Sequence, residues 1–313
     1  MREAKPEPHP SLEAFLSSPI ATFGLADLPK LWRVTRITFI FERPPDLDDG
    51  MRLPAAIRGA LGEPLKAVSS ERYKTDAAFG TPFQAFYADN CQFEERWHVP
   101  KPFVIWCRSE AGALYVEMSL FGETGIWRDD VIEAMLRVMT PETRGGEGGI
   151  SLMAGHRARR IWKLRDVFWR ESGYYPVPPI RRPFLLASKT PFVMSSQQTM
   201  KGGIPDLLFS IFARIAGLSR WHGFQAGPDL AFPAIRAACS EVRSEVLFKP
   251  HIKFERRTSR TFRGHGRLET GLDVCLLVRD FPEALWPGFV LGTLTHAGYD
   301  VVHGYGRYAI GAP

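Results

Sequence analysis

PFVIWCRSEAGALYVEMSLF, residues 102–121, holds two β-branched and aromatic runs joined by a short polar break. In the second run Leu114, Val116, Met118 and Leu120 alternate with polar or aromatic neighbours, the two-residue period of a half-buried strand. The first run, PFVIWC (102–107), has the same composition, and RSEAG between them suits a hairpin turn. Working outward from this hairpin, TRITFIF (35–41) is another strand, with Ile37, Phe39 and Phe41 on one face. LPAAIRGALG follows it, and Leu53, Ile57 and Leu61 recur every four residues, the spacing of a helix that Gly59 weakens. Residues 68–100 show no clear period and are expected to form an inserted loop. On the other side of the hairpin, Val131, Ile132, Met135, Leu136 and Met139 form a helical stripe that stops at Pro141. The Gly-rich break RGGEGG (144–149) then leads to a strand around ARRIWKLRDVFW (158–169). The element order is β-α-β-β-α-β, which is the ferredoxin-like arrangement.

The second half repeats that order. PFLLAS (183–188) is a strand, and IPDLLFSIFARIAG (204–217) is a helix with Leu207, Leu208, Ile211, Phe212 and Ile215 turned inward. A short helix at FPAIRAACSEV (232–242) opens with Pro233. Two strands follow at about 246–258 and 268–278. A helix over PGFVLGTLTHAG (287–298) and a final strand over YDVVHGYGRYAI (299–310) complete the set. The expected class is α+β, with two tandem ferredoxin-like (RRM-like) domains. The expected boundaries are a flexible, Pro-rich N-terminal arm at 1–30, a first domain at 31–170, a linker at 171–182 and a second domain at 183–313.

The chain has 313 residues with 40 basic and 34 acidic ones, a formal net charge of +6. Its apolar content of 45% suffices for two cores, and the distribution of charge says more about partners than the net value does. Cys91, Cys107, Cys239 and Cys275 lie far apart, with no Cys/His spacing for zinc. They suit reduced thiols in a cytoplasmic protein. No apolar run approaches the ~18–20 residues of a membrane span, so no membrane association is expected.

The charge concentrates in one place. From Lys249 to Arg267 there are seven Lys and Arg, two His and a single acid, Glu255. If the segment is a strand, Lys249, His251, Lys253 and Arg257 share one face while Ile252 and Phe254 occupy the other. Arg256, Arg260, Arg263, His265 and Arg267 extend the cations into the turn. Gathering like charges costs stability unless a counter-charge arrives, and the length suits several phosphates of a nucleic-acid backbone. A second basic stretch, HRARRIWKLR (156–165), places Arg157, Arg159 and Lys163 beside Ile161. This pattern suits RNA contact and a solvated edge equally well. HGYGRY (303–308) holds Gly304 and Gly306 beside Arg307 and two tyrosines. Such a turn lets a backbone approach phosphate, although a strand bulge needs the same glycines.

On these residues the chain resembles the CRISPR-associated endoribonucleases that process precursor guide RNA, the sixth Cas family of the RAMP superfamily. The likeness spans most of residues 30–310. It rests on IRGALG (57–62), the hairpin KPFVIWC…LYVEMSLFG (101–122), RRPFLL (181–186), FERRTSRTFRGHG (254–266) and GYDVVHGYGRYAI (298–310). The resemblance implies CRISPR repeat RNA as ligand, with other Cas subunits as possible company. It implies cleavage without a metal or any other cofactor: the 2′-OH attacks the adjacent phosphorus, expels the 5′-oxygen and leaves a 2′,3′-cyclic phosphate. It assigns RNA contact to the basic segment (Lys249, Lys253, Arg256, Arg257, Arg260, Arg263 and Arg267), and it places the Gly-rich loop with Gly304, Gly306 and Arg307 against RNA or a domain interface.

Many members of that family carry the catalytic histidine on or just after the first helix, whereas residues 43–79 here contain none. His265 and His251 are the alternative bases, with Arg58 on the polar side of that helix as an electrostatic alternative. A third alternative is a protein that holds processed RNA without cutting it. His98, His156, His296 and His303 read more readily as structural. A small-anion enzyme is the weakest reading, because nucleotide-binding and nucleophile motifs are missing.

Overall fold

The computed structural model describes residues 10–42, 52–73, 79–88, 92–94, 97–139, 163–194, 203–256 and 267–313. The first unit consists of β1 (Val34–Glu42), α1 (Arg52–Arg72), β2 (Phe103–Glu110), β3 (Ala113–Phe121), α2 (Arg128–Met139) and β4 (Leu164–Ser172). Residues 102–121 form the expected hairpin, in register from Phe103 opposite Leu120 to Glu110 opposite Ala113. Its two-residue turn, Ala111–Gly112, has positive φ at both positions (49° and 73°). This is the turn hand that matches strand twist. The strands lie in the antiparallel order β2-β3-β1-β4, the ferredoxin-like order. Ile37, Phe39 and Phe41 are fully buried, and so are Leu53, Ile57, Leu61, Leu65 and Val68 along α1. The apolar stripe therefore runs two turns beyond Leu61, and α1 continues to Arg72 through an internal Pro64.

The second unit consists of β5 (Phe184–Ser188), α3 (Ile204–Leu218), α4 (Phe232–Ser240), β6 (Arg243–Phe248), β7 (His251–Arg256), β8 (Arg267–Leu272), β9 (Cys275–Asp280), α5 (Trp286–Thr295) and β10 (Tyr308–Gly311). Its main sheet has the order β6-β9-β5-β10, the same topology as the first. α3 is almost wholly inside, with Leu207, Leu208, Phe209, Ile211, Phe212 and Ile215 buried.

Several elements differ from expectation. The two long strands expected near 246–258 and 268–278 each break in two. Pro250 lacks an N–H, and its carbonyl accepts from Asp273 N at 3.1 Å. Beyond that point β7 and β8 form a separate three-stranded sheet with Phe192–Val193. The final strand begins only at Tyr308, because Gly298, Asp300, Gly304 and Gly306 all hold positive φ, which a strand cannot use. Residues 68–100 are not one loop. They include the end of α1, a helix at Pro82–Tyr87 capped by Thr81, and a short pair at Gln92–Glu94 and Trp97–His98.

Residues 10–30, read as part of an arm, are folded. Pro10–Ser17 is a helix that buries Leu12 and Leu16, and Ala21–Phe23 pairs parallel with Phe224–Ala226 of the second unit. Apolar packing is continuous between the two halves. Trp221 Nε1 donates across to Pro100 O at 2.8 Å; within the second unit the buried Arg214 Nε donates to Thr295 O at 2.6 Å. No helix among the described residues is long and apolar enough to cross a membrane.

Candidate nucleic-acid interface

β7 and β8 flank the chain's densest run of positive charge, residues 249–267. Their register runs from His251 opposite Leu272 to Arg256 opposite Arg267. His251 and Lys253 are exposed while Ile252 between them is half-buried, so the expected alternation holds over these three residues. β7 is an edge strand of its sheet, which leaves one side of its backbone unladdered. Arg256 and Arg267 are the last register pair of this hairpin. Lys249 lies just before the break, half-buried. Arg257, Arg260, Arg263 and His265 lie outside the described residues.

A second cationic surface lies on the first sheet, on the face away from its helices. Arg36 of β1, Trp106 and Arg108 of β2, Glu117 and Tyr115 of β3 and Arg170 of β4 share that face by register. Arg307 comes from the second unit and stacks on the Trp106 ring, with 3.9 Å to its centroid. Arg108 stacks on Tyr115 at 4.0 Å and pairs with Glu110 and Glu117. Burial is the main cause lowering the pKa of both Arg36 and Arg307. Arg170 adds to it at Arg36, and Arg36 and Arg108 add to it at Arg307. Glu117 on the same face opposes these effects at both arginines, so the face is a mixed ionic cluster with an excess of arginine. The signal was present in the polar half of the TRITFIF and FVIWCR alternations, which sequence reasoning used only for their apolar half.

Arg58 is half-buried on α1, with its guanidinium 5.2 Å from the centre of the Tyr87 ring. Its carbonyl accepts from Tyr87 Oη at 2.6 Å, and burial raises the Tyr87 hydroxyl pKa well above its usual range. Gly304 and Gly306 are buried, and Gly304 packs on Pro54 of the first unit, in line with the domain-interface side of the expectation. A β-carbon on Gly304 would meet the Pro54 ring at 2.7 Å, and one on Gly306 would run into the backbone of Ala297. The close approach these glycines permit is protein on protein. In the second basic stretch, Lys163 pairs with Glu42 at 2.9 Å at the surface. Arg157, Arg159 and Ile161 lie outside the described residues.

His222 and His296 are structural. Both are buried, and burial lowers their pKa to about 4 and about 3. His222 Nδ1 and Nε2 lie 3.2 and 3.1 Å from the carbonyls of Leu218 and Arg33. His303 sits on a short turn beside Asp300, with Nδ1 3.5 Å from the carboxylate. Among the described residues, no three His, Cys, Asp or Glu side chains gather to hold a metal ion.

No family model and no curated protein matches this chain. Solved structures do. The product complex of Thermus thermophilus Cas6 (TTHB231) is 14% identical, covers 89% of this chain and 99% of its own, and superposes with a TM-score of 0.51. The product complex of Cas6 (TTHA0078) is 17% identical over 90% and 100%, with a TM-score of 0.48. A Cas6-related protein from Pyrococcus furiosus is 11% identical over 88% and 98%, at 0.45. At such identity the first of these establishes likeness of fold: the two tandem ferredoxin-like units have the Cas6 arrangement.

Proposed function

We propose that this protein is an endoribonuclease that binds CRISPR repeat RNA and cleaves precursor crRNA. The observation that carries the reading is the edge hairpin β7–β8, which exposes His251 and Lys253 within the chain's densest run of basic residues, on a fold shared with a Cas6 solved as a product complex. The arginines on the open face of the first sheet add a second region of matching sign. The proposed reaction is in-line attack of a ribose 2′-OH on the adjacent phosphorus, yielding a 2′,3′-cyclic phosphate and a free 5′-hydroxyl. It requires a base for the 2′ proton and cations for the phosphorane. The proposed setting is the cytoplasm, alone or beside other Cas subunits.

Repeat RNA from an array neighbouring the gene, incubated with the protein in EDTA, tests the reading. Specific cleavage with a cyclic phosphate end is expected. Binding without cleavage would instead describe a subunit that holds crRNA, and neither would remove RNA from the account. Affinity should fall with salt at a slope near ~0.7 per phosphate contacted on single strands, and Lys253→Glu with Arg256→Glu should flatten that slope.

A further inference from the structure

The outer strands of the two main sheets are not alike. β2 is buried along most of its length, β10 has four residues, and β6 carries two register shifts against β9. β4 has nine residues, and from Ser172 to Asp166 it runs opposite β1 without a shift. Among the described residues it has a strand on one side only. It contains no Pro and no Lys. Every residue from Phe168 to Ser172 is exposed, with Phe168 at 47% and Trp169 at 42%. A long, regular outer strand with apolar side chains is a template for a further strand, and Pro, Lys or bulges are the usual means of preventing it.

The side of β4 away from β1 has hydrogen-bonding capacity to offer. Val167 N donates to the side chain before it, Asp166 Oδ1, at 2.8 Å, so this N–H stands outside the ladder with β1. Backbone groups of an antiparallel strand alternate between its two sides, which turns Trp169 outward with Val167. The side chains alternate between faces too. Val167 and Trp169 lie opposite the buried Phe39 and Ile37 on the helix side of the sheet, whereas Asp166, Phe168 and Arg170 lie on the open face. Arg128 of α2 holds the Trp169 ring from one side, with its guanidinium 3.8 Å from the centroid.

The sequence of this strand is its own complement. Set antiparallel to a second copy with Phe168 opposite Phe168, RDVFWRE (165–171) brings Arg165 opposite Glu171, Asp166 opposite Arg170 and Val167 opposite Trp169. Each acid meets an arginine and the apolar residues meet one another, pairings that stabilise a ladder. The register also satisfies the backbone. Val167 and Trp169 both turn outward and exchange N–H···O bonds, which releases the Asp166 carboxylate to Arg170 of the other copy. Nucleic acid suits the strand less well, since Asp166 and Glu171 would face its phosphates. We propose that two copies of this chain associate about a two-fold axis at Phe168, β4 against β4, so that their first sheets become one. Such a contact uses the same patch twice, and it goes beyond the RNA-cleaving reading without depending on it.

Sedimentation velocity over a concentration series tests it. Wild type should pass from the mass of one copy to that of two. Asp166→Arg and Arg170→Asp should each stay single, because each sets like charges opposite one another at both 166–170 pairs. Their melting temperatures should stay near wild type, since both positions are exposed. An equimolar mixture of the two variants should dimerise again, because every 166–170 pair is then of opposite sign. Phe168→Cys should form a disulfide-linked dimer under mild oxidation to a greater extent than wild type, the Cα atoms of such a non-hydrogen-bonded pair being ~4.5 Å apart. Wild type that remains single at every concentration overturns the proposal. So does a dimer that survives both charge reversals, or a mixture of the two variants that stays single. Loss of RNA affinity in Phe168→Ala, with wild type single throughout, would give the strand to RNA instead.

Discussion

Replacing Gly306 with alanine should destabilise the fold far more than replacing Gly112, although the two backbones are nearly identical in conformation, at φ 72° and 73°. Forcing an L-residue into that region costs roughly 1–2 kcal/mol at either site. A β-carbon on Gly112 meets nothing within 4 Å, so the conformational cost is the whole cost there. On Gly306 it would lie 2.8 Å from the Ala297 carbonyl carbon and 3.0 Å from its nitrogen, with the carbonyl oxygen nearer still. The obstacle is backbone and cannot rotate away. It is also tied down: Ala297 N donates to Gly306 O at 3.0 Å, and Gly306 N donates to Pro191 O at 2.9 Å. Moving it should add the roughly 1–3 kcal/mol typical of overpacking. Gly306→Ala should therefore lose about 2–5 kcal/mol and Gly112→Ala about 1–2 kcal/mol. Urea unfolding followed by tryptophan fluorescence measures both. Equal losses at the two sites would refute the packing argument, and a stable Gly306→Ala protein with impaired RNA binding would return this glycine to phosphate contact.

Acid should unfold the protein from below neutrality. The folded pKa of His222 and of His296 lies below the unfolded value, at about 4 and about 3, because burial disfavours the charged ring. The stability of keeping both rings neutral is thus complete above pH ~6.5 and is lost as pH falls toward the folded values, at about 1.4 kcal/mol per pH unit for each. A urea midpoint that does not move between pH 7 and pH 5 would contradict this. Arg214→Met should cost roughly 1–3 kcal/mol by leaving the Thr295 carbonyl buried without its donor, and an unchanged melting curve would show that water replaces the guanidinium. Thr81→Ala should cost about 1 kcal/mol, since Thr81 Oγ1 accepts from Gln84 N at 3.3 Å while Gln84 Oε1 accepts from Thr81 N at 3.0 Å. Melting temperatures of the two proteins check it.

What the sequence determined by itself was whatever has a local period. Two-residue alternation in TRITFIF and ALYVEMSLF, and four-residue recurrence along α1, α2 and α3, state which face is buried before any partner is known. Their order twice over then leaves the ferredoxin-like topology. The strength of charge from Lys249 to Arg267 was equally plain, because charge is a property of composition. Tertiary structure decided whatever depends on a distant partner. The N-terminal helix and strand at 10–23 hold their place only through Phe224–Ala226 and the apolar surface around them, and nothing in their own Pro-rich sequence supplies that surface. The split of β6 from β7 follows from Pro250 meeting Asp273, residues 23 positions apart. The turn Val301–His303 is local, but the docking of Gly304 onto Pro54 and of Arg307 onto Trp106 joins residues far apart in the chain. A contact between residues some 200 positions apart has no local signature, because its stabilisation comes from the surfaces that meet and not from the period of either strand or helix.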